Sequence, residues 1–71
     1  MRMSIRNQLT GEVLSLSKGE AMVVAKVRLD GGGEQILTSA VTLDAVSDLG
    51  IEVGSRVTLL VKSTDVALAV E

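Results

Sequence analysis

Five hydrogen-bond donors fall at what read as the ends of structural elements. Ser4 and Arg6 stand just before the first extended run, Thr42 opens a short helical run, and Lys62 and Ser63 close a later extended run. Arg and Lys only donate, and Ser and Thr hydroxyls can donate. Such a lining suits a tetrahedral dianion that carries no proton, because the anion only accepts and the cations offset its loss of water. Backbone N–H groups at a helix start would add to it. Each residue also has a plainer use. Thr42 serves equally as a helix cap, and a lysine at a strand end commonly stays in water as a guard against edge pairing.

Other chemistry is thin. The chain has no His and no Cys, so there is no imidazole base and no thiolate, and an enzyme is not expected. The carboxylates are scattered through Glu12, Glu20, Asp30, Glu34, Asp44, Asp48, Glu52, Asp65 and Glu71. Asp44 and Asp48 lie one helical turn apart, but first-turn dipole and solvent account for them, and no bare metal cation is expected. Gly31-Gly32-Gly33 joins two extended runs and reads as a flexible turn rather than a phosphate-cradling loop.

The elements that would position these donors are mostly strands. The expected strands run roughly 8–17, 20–30, 34–41, 56–62 and 66–70, with one short helix over 43–49. The second is clearest, since Ala21, Val23, Ala25, Val27 and Leu29 alternate on one face. Asp30 and the three glycines predict a hairpin turn with a bulge or longer loop. Leu43, Val46 and Leu49 share a helix face, Thr42 can cap it, and Gly50 suits its end. Val57, Leu59 and Val61 alternate with Arg56, Thr58 and Leu60. Three strands, a short helix and two strands predict an all-β, OB-type five-stranded barrel with the helix between strands 3 and 4. An SH3-like barrel is the alternative.

Composition bears on assembly. Seventy-one residues make a single domain, and a chain of this size buries only about 60% of its unfolded surface. Small domains add a disulfide, a structural metal or a partner subunit, and without Cys or His only the partner remains. The chain is 46% hydrophobic yet has no Phe, Trp or Tyr, so its core is aliphatic and some apolar surface is expected to be covered by further copies. Net charge is −2, with seven basic against nine acidic residues. That argues against nucleic acid as a partner, as does the lack of aromatic stacking platforms. No apolar run is long enough to span a bilayer. The opening Met1-Arg2-Met3-Ser4-Ile5-Arg6 has no apolar core of a leader, so a cytoplasmic location is expected.

Three segments carry a closer likeness. Ser4-Ile5-Arg6-Asn7-Gln8-Leu9 with Gly11 and Val13, Val41-Thr42-Leu43-Asp44-Ala45-Val46 with Leu49-Gly50, and Leu60-Val61-Lys62-Ser63-Thr64-Asp65-Val66 together resemble the molbindin (Mop) family of transport-associated OB-type domains. The likeness covers about residues 3–70, in order. It implies a barrel that exchanges edge strands with a second copy, and dimers that assemble into a hexamer. It also implies binding of molybdate or tungstate between subunits, for storage or homeostasis in the cytoplasm, with no organic cofactor. By matching position, Ser4, Ile5, Arg6, Thr42, Ala45, Lys62 and Ser63 would meet the anion. Ala45 departs from a hydroxyl residue common there, which removes one donor. The Lys18-Gly19-Glu20 turn is the candidate for a second class of site. The competing reading is an OB-like interaction module for nucleic acid or a regulatory partner.

Overall fold

The computed structural model describes residues 3–71; Met1 and Arg2, which entered the argument against a leader, lie outside the described residues. Four strands and a short helix follow one another: β1 (Asn7–Lys18), β2 (Met22–Leu29), β3 (Ile36–Thr42), α1 (Leu43–Leu49) and β4 (Arg56–Val61), then a single 3₁₀ turn over Ser63–Asp65. The strands form one antiparallel sheet in the order β3-β2-β1-β4. No helix among the described residues is long and apolar enough to cross a membrane.

β1 organises the sheet because it serves two partners in succession. Its first half, Asn7–Glu12, pairs with β4, and its second half, from Gly11 to Lys18, pairs with β2. The handover is marked by a register shift between Val13 and Ser15. An extra residue in one strand bends it and tightens its twist, and here that bend curls the sheet around its inner face. Val13 compensates by bonding beyond the ladder: its N–H donates to Ser55 O at 2.9 Å and its carbonyl accepts from Gly54 N–H at 2.8 Å.

The alternation expected for the second strand is present where it is paired. Val23, Ala25 and Val27 are buried and, with Val13 and Val46, form the core. Ala21, expected on the same face, is instead exposed in the β1–β2 turn, where its carbonyl accepts from Leu43 N–H at 2.8 Å. The β2–β3 connection is the longer-loop form, with Gly31 and Gly33 at positive φ. α1 ends as its sequence predicts, with Gly50 in the left-handed region and its N–H turned back to Ser47 and Val46. Of the expected apolar helix face, Val46 is buried, while Leu49, in the last turn, is 73% exposed.

The fifth strand is a correction. Residues 66–70 are unpaired, and Leu68 and Val70 are 93% and 97% exposed. Val66 has extended dihedrals (φ −98°, ψ 115°), so its conformation suits a strand, but the segment pairs with neither open edge of its own sheet. Closure into a barrel is corrected with it: the ladder contains no β3–β4 pairing. Between these edges lies a cavity of about 440 Å³, lined largely by Val13, Leu37, Val41, Val46, Leu59 and Val61. The all-β OB-type fold stands, with four strands in place of five.

At the end of β2 away from α1, Asp30 accepts from Thr10 Oγ1 at 2.8 Å and pairs with Arg56, so one carboxylate ties β1, the β2–β3 loop and β4. Arg28 pairs with Glu12 at 2.6 Å alongside. The Arg56 hydrogen bond, then that of Thr10, holds the Asp30 carboxyl below the ordinary aspartate value of 3.8. A depressed folded-state pKa contributes stability that is present above the unfolded value and lost as pH falls through the folded one. The stability gap between wild type and Asp30→Asn is therefore expected to hold from neutral pH down to that ordinary value and to close in more acidic solution. The gap is small, since the pair is exposed. Denaturant titrations across this range check it, and a gap that widens in acid would contradict the assignment.

Candidate functional site

The last rung of the β1–β4 ladder, Asn7 opposite Val61, brings two of the three segments of interest together. Ser4, Ile5 and Arg6 lead directly into Asn7, and Lys62 and Ser63 follow directly from Val61. Ser4, Arg6, Lys62 and Ser63 are exposed, and Ile5 is half-buried between the two polar residues. Lys62 has extended dihedrals (φ −61°, ψ 137°) and makes no side-chain capping bond to the turn it precedes. That turn is held by backbone alone, Asp65 N–H donating to Lys62 O at 2.9 Å. Among the described residues, no ion pair or side-chain hydrogen bond engages Ser4, Arg6, Lys62 or Ser63. The segments that carry two cations and two hydroxyls thus leave the sheet at one corner, and among the described residues none of these four side chains is engaged.

Thr42 lies elsewhere. It is the cross-strand partner of Met22, at the end of β3, and its side chain caps α1 by accepting from Ala45 N–H at 3.1 Å. This cap has two consequences. Thr42 keeps its hydroxyl proton for an outside acceptor. The Ala45 N–H, which could otherwise have replaced the donor that an alanine lacks, is already engaged; a hydroxyl at position 45 has no backbone substitute at that same residue. The Lys18-Gly19-Glu20 turn shares this end of the molecule, since Gly19 N–H donates to Met22 O at 2.8 Å. Lys18, Gly19 and Glu20 are all exposed.

The two groups therefore occupy opposite ends of β1. Eleven residue steps separate Asn7 from Lys18, about 36 Å of straight strand at ~3.3 Å per step, shortened here by the bend. No ladder pairing or hydrogen bond within the chain links Thr42 to Lys62.

Asp44 and Asp48 are exposed, and no group of three or more metal-ligating side chains occurs among the described residues. Arg28 and Arg56 are occupied by Glu12 and Asp30, which leaves little for the continuous basic stripe that nucleic acid would need. Sequence reasoning did not anticipate the side-chain bond from Asn7 to Val61 O (3.1 Å) or the Thr10–Asp30–Arg56 tie. Asn7 stood inside a noted motif without a role; the Asp30 partners are 20 and 26 residues away and carry no local signal.

Residues 3–68 match the TOBE domain family. Molybdenum-pterin-binding protein 2 of Clostridium pasteurianum is 46% identical over 68 residues, which span 96% of this chain and 97% of that protein. Among solved structures, a molybdate-binding protein from Sporomusa ovata superposes with a TM-score of 0.88 at 33% identity, covering 97% of this chain and 98% of the other. The cytoplasmic molybdate-binding protein ModG, in a molybdate-bound crystal form, superposes with a TM-score of 0.81 at 33% identity, covering 89% of this chain and 43% of ModG. The likeness runs nearly end to end in two of these three cases, and it includes the curled sheet with its inserted helix. The chain belongs to the molbindin (Mop) family of TOBE domains.

Proposed function

We propose that this protein binds molybdate at sites formed between copies of the chain. The observation that carries the reading is the sheet corner at the Asn7–Val61 rung, where Ser4, Arg6, Lys62 and Ser63 present uncommitted donors. The molybdate-binding protein from Sporomusa ovata, alike in length and fold, supports the choice of anion. In this reading Arg6 and Lys62 supply charge, Ser4 and Ser63 orient the anion, and Ile5 packs beside it. Thr42, at the other end of its own sheet, donates to a corner belonging to another copy, with Ala45 alongside offering only its methyl group.

Three features support assembly. The β3 and β4 edges are unpaired, the cavity between them is apolar, and the Val66–Val70 segment, extended at Val66, is exposed and apolar. An exposed extended segment and an open edge on every copy fit strand exchange between two chains. A hexamer built as a trimer of such dimers is the assembly proposed, with the Lys18-Gly19-Glu20 turn offered for a second class of anion site.

Selectivity follows from donor count and size. Phosphate at neutral pH is largely monoprotonated and brings a donor to a site of donors. Sulfate is fully ionised but smaller, so a cage sized for molybdate holds it loosely. Tungstate matches molybdate in charge and size and is expected to compete with it on nearly equal terms. Storage or buffering of the anion in the cytoplasm is the role proposed, without organic cofactor or catalysis.

Calorimetry with molybdate, paired with native mass spectrometry, tests this. The expected result is a saturable heat and a multimer whose mass rises by whole molybdate units. No heat at millimolar molybdate would end the reading, and a monomer that binds the anion would end the intersubunit part of it.

A further inference from the structure

We infer that Asn7 is a positioning residue for the anion site, a clamp that holds its two ligand-bearing segments in register. The inference rests on the site proposed at this corner. The Asn7 side-chain Nδ2 donates to the Val61 carbonyl at 3.1 Å, on the residue that is already its ladder partner. Asn7 is the residue immediately after Ser4-Ile5-Arg6, and Val61 is the one immediately before Lys62-Ser63. A single side chain thus ties together the two points from which four of the proposed ligands depart.

The need for such a tie is visible in what surrounds it. This rung is the end of the β1–β4 ladder, and beyond it neither segment is paired with the other. Strand ends fray, because the last rung has support from one side only. The segment after Val61 has no other anchor near the rung: Lys62 makes no capping bond, and the following turn closes only on itself. Ser4, Arg6, Asn7, Lys62 and Ser63 are exposed, so packing does little to fix the polar residues of the corner. A side-chain amide is a suitable device here, since it adds a second donor to a carbonyl at the fraying rung without adding a charge that the anion would feel. Ligands held by supporting hydrogen bonds bind more tightly because less ordering remains to be done on binding.

The test is the Asn7→Ala variant of the full chain, with three readouts. Molybdate affinity is expected to fall about tenfold, at the low end of the ~10–100-fold range seen when outer partners of a ligand set are removed. Amide hydrogen exchange of residues 62–65, measured without anion, is expected to quicken about tenfold, which a ~1.4 kcal/mol loss would give. The melting temperature is expected to move by only a few degrees, as an exposed hydrogen bond implies. An affinity equal to wild type would overturn the inference. So would a loss of affinity with exchange at 62–65 unchanged, since Asn7 would then act on the anion itself. A large melting shift with affinity intact would make the residue merely structural, and would also overturn it. If wild type binds no molybdate, the functional reading falls on its own, while the exchange measurement still reports whether Asn7 clamps the corner.

Discussion

Replacing Gly11 with alanine is expected to lower the melting temperature by more than about 10 °C, and replacing it with valine to abolish folding. Gly11 is the point where β1 faces both neighbours at once, opposite Leu29 of β2 and Val57 of β4. It is not needed for its backbone freedom, since its φ lies outside the positive region. It is needed for space. A Cβ at this position would meet the Arg28 carbonyl oxygen at 2.5 Å and Val27 Cγ1 at 2.7 Å. Neither can withdraw: the carbonyl belongs to the ladder, and Val27 is 3% exposed in the core. Overpacking of a tight core costs about 1–3 kcal/mol, occasionally more, and a domain of this size has only about 4–10 kcal/mol in total. Gly19→Ala is the control, since a Cβ there meets nothing nearer than 3.4 Å, and its effect is expected within ~0.5 kcal/mol. Denaturation followed by circular dichroism distinguishes the two. Equal stability for the Gly11→Ala and Gly19→Ala variants would show that β1 does not approach β2 this closely.

Lys62→Ala is expected to weaken molybdate binding by about 10- to 100-fold, with the melting temperature nearly unchanged. Lys62 is exposed and anchors nothing among the described residues, so its loss costs the fold little. A hydrogen bond to a charged group is worth about 1.5–3 kcal/mol, the equivalent of that fold-change. Lys26→Ala is the comparison. Lys26 is also exposed, but it lies mid-strand opposite Ser15 and Thr38 on the outer face, away from both ends of the sheet. Its removal changes net charge by the same amount and is expected to cost less than about threefold at moderate salt, where distant charges are screened. Calorimetric titrations of the two variants check this. Equal affinities would move the site away from the Asn7–Val61 corner.

Much of this architecture is written locally in the chain. The Val23, Ala25 and Val27 alternation reports burial on one sheet face, and the Thr42 cap and Gly50 stop report a helix, because each depends on neighbours within a few residues. The failures share the opposite property. Residues 66–70 are apolar enough for a strand, but pattern alone does not say whether any edge will receive them, and within the chain none does. Leu49 fits a helical stripe, yet it is left exposed in the last turn, where periodicity alone cannot say whether anything covers it. That Arg6 and Lys62 flank one rung while Thr42 lies at the other end of the sheet depends on a ladder that joins residues 54 positions apart, as Asn7 and Val61 are. Resemblance to a family grouped all seven residues as one lining, but the single chain divides them between two ends of a strand. Only contact between copies would reunite them.

The open seam between β3 and β4 has a consequence for abundance. Where a second copy closes an apolar gap of this kind, the folded state is a product of association, and mass action enters its stability. Each tenfold dilution then removes about 1.4 kcal/mol from a dimer, a large share of what a chain this small has in reserve. Dilution would act on the molecule as heat does. A cell making few copies would hold them in a partly opened form exposed to proteases, whereas one making many would hold a durable pool.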